Sequence, residues 1–158
     1  MPQLSFRTSL LDALTLTEED GAIVALDWGW GRDQAETPLL LRARDQLEEY
    51  LDGARTRFDL PLAPVGTPYR RRVWAALCDI PYGETRTYAQ LAAVAGGGSR
   101  SVGGANGSNP IPVLIPCHRV VASNGIGGYS GHEGLETKRR LLRLETQSAA
   151  AVGGLFNV

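Results

Sequence analysis

The chain has 158 residues, of which 43% are hydrophobic and 21% charged, and its formal net charge is -1. This length allows one ordinary domain or two small ones with a buried core. No apolar run reaches the roughly 18 residues of a membrane span, and the start of the chain lacks the pattern of a secretory signal.

The chain contains only two cysteines, Cys78 and Cys117, and two histidines, His118 and His132. These are too few for a disulfide framework or for a cysteine-rich zinc site. We therefore expect no metal and no organic cofactor. Free thiols favour a reducing cytoplasm as the compartment.

The small net charge hides an asymmetry between the two parts of the chain. Residues 1–64 carry six arginines against twelve acidic residues, whereas residues 65–158 carry ten basic residues against five acidic ones. A basic region suits a polyanion, because each neutralised phosphate releases counterions. All the basic residues except Lys138 are arginines, which favour bidentate contacts. The alternative is an ordinary solvated surface.

Strands and one helix are predicted in the first part of the chain. Residues 13–17 and 22–28 alternate like a hairpin, with Ala22, Val24, Leu26 and Trp28 on one face. Thr37 and Pro38 then open a helix that Gly53 ends. The segment around Pro61 and Pro64 follows, and we place a domain boundary after residue 64.

A second helix is predicted to begin at Thr67 and Pro68. Its expected apolar face consists of Tyr69, Val73, Leu77 and Ile80. Cys78 lies beside this face, so we interpret it as a small buried hydrophobic residue.

Two short helices separated by glycines follow. Thr87 and Gln90 form a capping box, residues 96–98 are all glycine, and Ser99 is expected to cap a helix running to about Asn106. In a basic domain this pattern is typical of a helix-turn-helix, although helical hairpins also occur in ordinary cores. Nearly all residues of the second helix are small, and Arg100 stands out among them.

Residues 111–116 are apolar and interrupted by prolines, which predicts an extended buried wall leading into Cys117 and His118. A free thiol has a pKa of about 8.5 and needs help to become a good nucleophile. Neighbours in an extended segment point to opposite faces, so a water or a bend must connect the thiol to His118. The alternative is a buried, inert cysteine.

The sequence Pro-Cys-His-Arg-Val at residues 116–120 resembles the acceptor site of the O6-alkylguanine-DNA alkyltransferases. Further similar segments follow the family's order, at residues 81–88, 100–105, 109–110, 127–130 and 138–145. The resemblance covers residues 65–145, while the first 64 residues are only loosely similar.

This resemblance implies an α/β (α+β) N-terminal domain with a small antiparallel sheet, at residues 1–64. A mostly helical, winged-helix-like domain with a helix-turn-helix would follow at residues 65–158. The implied function is DNA repair: O6-alkylguanine is flipped out of double-stranded DNA, and the alkyl group is transferred irreversibly to the protein, once per molecule. The implied partner is alkylated duplex DNA, bound by a monomer without a membrane, and O4-alkylthymine stays open as a substrate.

The resemblance also implies roles for individual residues. Cys117 would be the alkyl acceptor, His118 its base through a bridging water, and Glu145 the group that orients the imidazole. Asn109 would hold the active-site loop, and Tyr88 would donate a hydrogen bond to N3 of the departing guanine.

The remaining implied residues bind DNA or the extruded base. The Ser130 backbone would lie near the guanine O6 atom, and Tyr129 would line the pocket. Arg100 would enter the duplex and replace the flipped nucleotide. The other expected binding residues are Val120, Ser123 and Tyr69.

The sequence departs from the family pattern in two places. The connection at residues 96–99 is shorter than usual, which affects the expected DNA contacts of Gly98 and Ser99. The segment between Tyr129 and Lys138 is longer and includes His132, which affects the shape of this loop.

Two other functions remain as alternatives. A non-catalytic protein could bind damaged guanine without repairing it, although such relatives lack the acceptor cysteine. A Cys-His hydrolase unrelated to DNA would need an oxyanion hole, and it would leave Arg100 and Tyr88 unexplained. Turnover separates these functions, because a hydrolase cycles, an alkyl acceptor stops after one event and a binder transfers nothing.

Overall fold

The computed structural model describes the backbone of residues 1–156 and the side chains of residues 1–148. The chain divides into two compact units. The first contains residues 1–65 and 110–114, and the second contains residues 66–109 and 115–158. The domain boundary after residue 64 stays a prediction, because a division by contacts does not show which part folds on its own.

The first unit is a three-stranded antiparallel sheet with one helix. Strands β1 (Gln3–Thr8), β2 (Asp12–Glu19) and β3 (Ala22–Trp28) lie in the order β1-β2-β3, and helix α1 spans Pro38–Leu51. Thr37 is the predicted N-cap, and its side chain accepts a hydrogen bond from the Leu40 N–H at 3.1 Å.

Strand β1 was not predicted, and the expected apolar face of β3 is wrong. The buried residues of β3 are Ile23 and Leu26, whereas Ala22 and Val24 are only half-buried. A bulge where Thr17 and Glu18 pair with β3 leaves Val24 without a partner in the register. One extra residue reverses the alternation, so residues of both parities face the core.

The second unit begins with helix α2 (Pro68–Cys78). Strand β4 (Arg86–Thr87), helix α3 (Tyr88–Ala95) and helix α4 (Ser99–Gly107) follow. A short 3-10 turn (Cys117–Arg119) leads into strand β5 (Val120–Val121), which pairs in parallel with β4, and helix α5 spans Leu135–Phe156. The fold class expected from the sequence is confirmed: a small antiparallel sheet is followed by a mostly helical part.

Buried contacts fix α3 and α4 against α2. The buried residues of α2 are Val73, Trp74 and Leu77, and the Trp74 indole N–H donates to the Ala105 carbonyl of α4 at 2.8 Å. The capping box of Thr87 and Gln90 is present at the start of α3. The Trp74 bond holds α4 against α2, and the capping box fixes the start of α3.

Three local expectations are wrong. Cys78 is exposed, because it lies at the last position of α2, turned away from the face of Leu77. The N-cap of α4 is Gly98 and not Ser99. Residues 111–116 are buried as expected, but the wall is not extended throughout, because Val113 takes a left-handed φ of 73° and turns the chain.

Within the described residues, no helix has the length and apolarity needed to cross a membrane.

Candidate active site

Cys117 is the first residue of the 3-10 turn, and only 5% of its surface is exposed. Its N–H donates to the Ile115 carbonyl at 2.8 Å, and its carbonyl accepts from the Asn106 amide at 3.3 Å. The side chains of Asn109 and Tyr129 lie beside its thiol, and both act to lower its pKa. Asn109 also donates to the Ile115 carbonyl at 2.9 Å, so the predicted loop-holding residue contacts both the loop and the thiol.

The thiol is protonated in this environment. Burial raises the pKa of Cys117, because a thiolate is costly away from water. The hydrogen bonds from Asn109, the residue's own backbone and Tyr129, together with the charge of Lys138, lower the pKa but do not outweigh burial. The thiol must therefore lose its proton to a neighbouring base before it can react as a nucleophile.

His118 and Glu145 form a contact of 2.6 Å between Nε2 and Oε2, with side-chain exposures of 0% and 1%. Burial lowers the pKa of His118, although the hydrogen bond and charge of Glu145 act the other way, so the imidazole is neutral. Burial also raises the pKa of Glu145, but the hydrogen bond of His118 and the hydrogen bonds and charge of Arg119 outweigh it and bring this pKa to about 2. The site thus holds a neutral base backed by an ionised carboxylate.

Cys117 and His118 lie on a 3-10 turn, where the sequence left open whether a water or a bend connects the thiol to the imidazole. Both residues are buried on a tight turn and not on an extended strand. The water-mediated link between the thiol and the imidazole remains a prediction.

The family resemblance gave Arg119 no role beyond its place in a similar segment, yet its side chain contacts the carboxylate of the site. Its Nε and Nη2 lie 2.8 and 3.0 Å from the two carboxylate oxygens of Glu145, and its Nη1 donates to the Ile80 carbonyl at 2.8 Å. The guanidinium also lies over the Tyr82 ring at 5.7 Å. A lone arginine inside an apolar run was the signal that could have identified it, because a buried charge needs a partner.

Lys138 is a second residue that sequence reasoning did not place in the site. It is 0% exposed, and its ammonium donates to the Val120 carbonyl at 2.6 Å and to the Gly128 carbonyl at 3.0 Å. Burial lowers its pKa to about 8, and Cys117 acts in the opposite direction when its thiol is ionised. Lys138 therefore joins β5 to the glycine-rich loop and adds a positive charge near the thiol.

Tyr88 begins α3, and its hydroxyl accepts a hydrogen bond from the Gly128 N–H at 3.3 Å. Gly127 has a φ of +75°, and a Cβ there would lie 2.8 Å from the Tyr88 hydroxyl oxygen, so only glycine allows this close approach. Because the loop N–H donates to the tyrosine oxygen, the phenolic proton can be donated to another acceptor.

The other residues expected from the sequence lie around this centre. Val120 is buried in β5, and the Ser130 hydroxyl donates to the Gly107 carbonyl at the end of α4, at 3.2 Å. Ser123 and Arg100 are exposed and belong to the surface. The Tyr69 hydroxyl is hydrogen-bonded within the fold, to the Gly96 carbonyl and the Ser101 hydroxyl.

Asn106 was also missed. It is buried on α4 beside Val102 and Ala105, and it donates to the carbonyl of Cys117. Residues 102, 105 and 106 have the spacing of one helix face, and this face is buried. A polar residue on a buried helix face was therefore the signal that could have identified Asn106. The described residues therefore place a buried thiol next in the chain to a neutral imidazole that contacts an ionised carboxylate, while the Tyr88 phenol lies against the glycine-rich loop.

Comparison with known proteins identifies the family. The family sequence model described as "6-O-methylguanine DNA methyltransferase, DNA binding domain" matches residues 68–147. The family sequence model described as "6-O-methylguanine DNA methyltransferase, ribonuclease-like domain" matches residues 5–64. The chain is 42% identical to the constitutive methylated-DNA–protein-cysteine methyltransferase of Bacillus subtilis, over 85% of this chain and 90% of that protein. It is 48% identical to the Mycobacterium bovis methylated-DNA–protein-cysteine methyltransferase, over 73% of this chain and 70% of that one.

Solved structures agree with this result. The chain matches the crystal structure of Mycobacterium tuberculosis OGT in complex with DNA with a TM-score of 0.83 and 36% identity, covering 94% of each chain. The match to Mycobacterium tuberculosis O6-methylguanine methyltransferase has a TM-score of 0.84 and 35% identity, covering 98% of each chain. The chain therefore belongs to the 6-O-methylguanine DNA methyltransferase family.

Proposed function

We propose that this protein repairs DNA by moving an alkyl group from O6 of guanine to the thiol of Cys117, once per molecule. The observation that carries the proposal is the buried arrangement of Cys117, His118 and Glu145, in which a protonated thiol lies next in the chain to a neutral base held by an ionised carboxylate. This arrangement can activate a nucleophile, and the family's named activity requires a cysteine nucleophile.

In the proposed reaction, His118 takes the thiol proton through a bridging water, and the sulfur attacks the alkyl carbon. A carbon–sulfur bond forms while the bond from carbon to O6 breaks, and its electron pair moves onto the guanine. The hydrogen bond from Tyr88 to N3 stabilises this developing charge. Glu145 stabilises the imidazolium, because a carboxylate whose pKa is about 2 stays ionised beside it.

The thioether product explains why each molecule reacts once. Removing an alkyl group from sulfur requires a nucleophile stronger than water. Among the described residues around the buried thiol, none supplies such a nucleophile. The protein is consumed, which separates it from a hydrolase that cycles.

Duplex DNA carrying O6-alkylguanine is the proposed substrate, and a structural relative was crystallised as Mycobacterium tuberculosis OGT in complex with DNA. The helix-turn-helix of α3 and α4, with its small residues and exposed Arg100, suits entry into a groove and replacement of an extruded base. We propose that a monomer acts on one lesion. We place it in the cytoplasm, because the acceptor thiol must be kept reduced.

A titration of product against protein tests this function. A fixed amount of protein is incubated with increasing duplex containing O6-methylguanine, and the repaired guanine is counted. We expect the product to reach a plateau at one mole per mole of protein. Product that continues to rise with time would support a hydrolase, and no product despite binding would support a lesion binder.

A further inference from the structure

The connection between α3 and α4 consists of Gly96, Gly97 and Gly98, so it has no side chains with which to fix its own shape. Gly96 and Gly97 take φ values of +91° and +74°. Glycine has the largest backbone freedom of all residues, and three in a row leave the start of α4 poorly determined by local structure. Arg100 nevertheless lies only two residues after this connection.

Side chains from outside the connection bridge it. The Tyr69 hydroxyl of α2 lies 3.0 Å from the Gly96 carbonyl and 3.0 Å from the Ser101 hydroxyl of α4. The Ser101 oxygen accepts from the Gly98 N–H at 3.0 Å and also lies 3.0 Å from the Gly98 carbonyl, so its single proton can go either to that carbonyl or to Tyr69. If Tyr69 donates to Gly96 and Ser101 donates to Tyr69, each hydroxyl donates once and accepts once, and a continuous hydrogen-bond chain closes the connection.

Two further contacts hold this arrangement. The guanidinium of Arg72 lies 5.3 Å from the centre of the Tyr69 ring, and its Nε donates to the Ala95 carbonyl at 3.3 Å. A Cβ at Gly97 would lie 2.4 Å from the Ser101 hydroxyl oxygen and 2.7 Å from the Tyr69 hydroxyl oxygen. The connection is therefore packed tightly against the two hydroxyls, with no space for a side chain at position 97.

We propose that Tyr69 and Ser101 form a turn clamp that fixes the N-terminal end of α4, and Arg100 with it, in the orientation needed to enter duplex DNA. In this role Tyr69 is a positioning residue that acts through the Gly96–Gly98 connection and not through a phosphate contact of its hydroxyl. The inference rests on the proposed function, since it assigns a purpose to an ordered α4 only if that helix engages DNA.

The turn clamp predicts a difference between two substrates. Helix α4 and Arg100 must bind duplex DNA in one orientation. Loss of the clamp therefore adds the entropic cost of ordering them to each binding event. Free O6-benzylguanine needs only the buried pocket, whose thiol, base and carboxylate belong to other elements. Loss of the clamp should therefore slow repair of a duplex and spare transfer from the free base.

The test measures both single-turnover rates for Tyr69→Phe, Ser101→Ala and the double variant. Each single variant should repair methylated duplex about threefold to tenfold more slowly, as expected for one lost hydrogen bond, and react with free O6-benzylguanine within about twofold of the wild-type rate. The double variant should lose clearly less than the product of the two single losses, because both substitutions break one chain of bonds. Fully multiplicative losses would contradict the clamp and indicate independent DNA contacts.

Gly97 supplies a further substitution in the same connection. Gly97→Ala places a side chain against both hydroxyls at a positive φ. It should lose at least about fivefold in duplex repair and react with free O6-benzylguanine within about twofold of the wild-type rate. Equal losses on the two substrates would overturn the proposal.

The same measurements separate failure of the clamp from failure of the proposed function. If wild-type protein transfers alkyl groups from neither substrate, the proposed function fails. If wild-type protein reacts with both and every variant keeps the wild-type ratio of the two rates, the function stands and the turn clamp is wrong.

Discussion

His118 and Glu145 are joined by a 2.6 Å contact in a part of the core where neither side chain is accessible to water. Arg119 binds the same carboxylate through two nitrogens, so Glu145 stays ionised beside a neutral imidazole. When His118 accepts a proton, the imidazolium therefore lies beside a carboxylate that is already ionised. This relationship makes His118 a usable base although burial lowers its pKa.

Replacing Glu145 by glutamine should slow alkyl transfer about tenfold to hundredfold, because the imidazolium loses its anionic partner. The final amount of product per protein should not change. The substitution also leaves Arg119 buried without its counter-charge, which should lower the free energy of unfolding by about 3–5 kcal/mol. Glu136→Gln on the exposed side of α5 is the control for both measurements. A wild-type rate for the Glu145 variant would contradict the assigned role.

The same carboxylate should make the fold sensitive to acid. The pKa of Glu145 falls from 4.5 to about 2 on folding, so its contribution to stability is present above pH 4.5 and is lost as the pH falls towards 2. Urea unfolding of wild type and Glu145→Gln at several pH values measures this. The difference in unfolding free energy should be constant above pH 5 and should shrink steadily below pH 4.5. A difference that does not depend on pH would show that the carboxylate is not ionised in the fold.

The positive charge of Lys138 should lower the pKa of the Cys117 thiol. Replacing Lys138 by methionine removes a cation that lowers the pKa of Cys117, so the thiolate fraction at neutral pH should fall and transfer should slow. The pKa of Lys138 is about 8, so the wild-type lysine loses its own charge at higher pH. The gap between variant and wild-type rates should therefore be wide at pH 7 and narrow above pH 8. Arg139→Met removes an exposed cation from the next position of α5 and should follow the wild-type profile.

Arg100→Ala should weaken repair of duplex DNA at least about tenfold more than reaction with free O6-benzylguanine. Arg100 is proposed to fill the gap left by the flipped nucleotide, and a free base leaves no such gap. Single-turnover rates with both substrates measure the effect. Arg143→Ala removes one exposed charge from α5 and controls for the general loss of positive charge. Equal losses on both substrates would exclude the proposed role of Arg100.

Local signals in the sequence were sufficient for several elements. Thr37 and Thr67 cap helices as predicted, because an oxygen side chain before a proline is a local feature of the chain. The buried wall leading to Cys117 followed from its run of apolar residues. The family resemblance indicated His118 and Glu145, which the fold brings within hydrogen-bond distance across 27 positions of sequence.

Other features depend on contacts that no local pattern specifies. The exposure of Cys78 depends on which side of the last turn of α2 meets α3, and the apolar face of β3 depends on a bulge at Val24. Lys138 could not be placed because its partners are two backbone carbonyls, which have no signature in sequence. The turn clamp likewise joins a helix and a connection that are about thirty residues apart.

The central claim is that Cys117 keeps the transferred group, and intact-protein mass spectrometry with peptide mapping tests it most directly. After incubation with a duplex containing O6-methylguanine, wild-type protein should gain the mass of one CH2 group, about 14 Da, on the peptide that contains Cys117. Cys78→Ser should gain the same mass, whereas Cys117→Ser should gain none and should still bind the alkylated duplex. Added mass on Cys78, or repair by Cys117→Ser at the wild-type rate, would contradict the account.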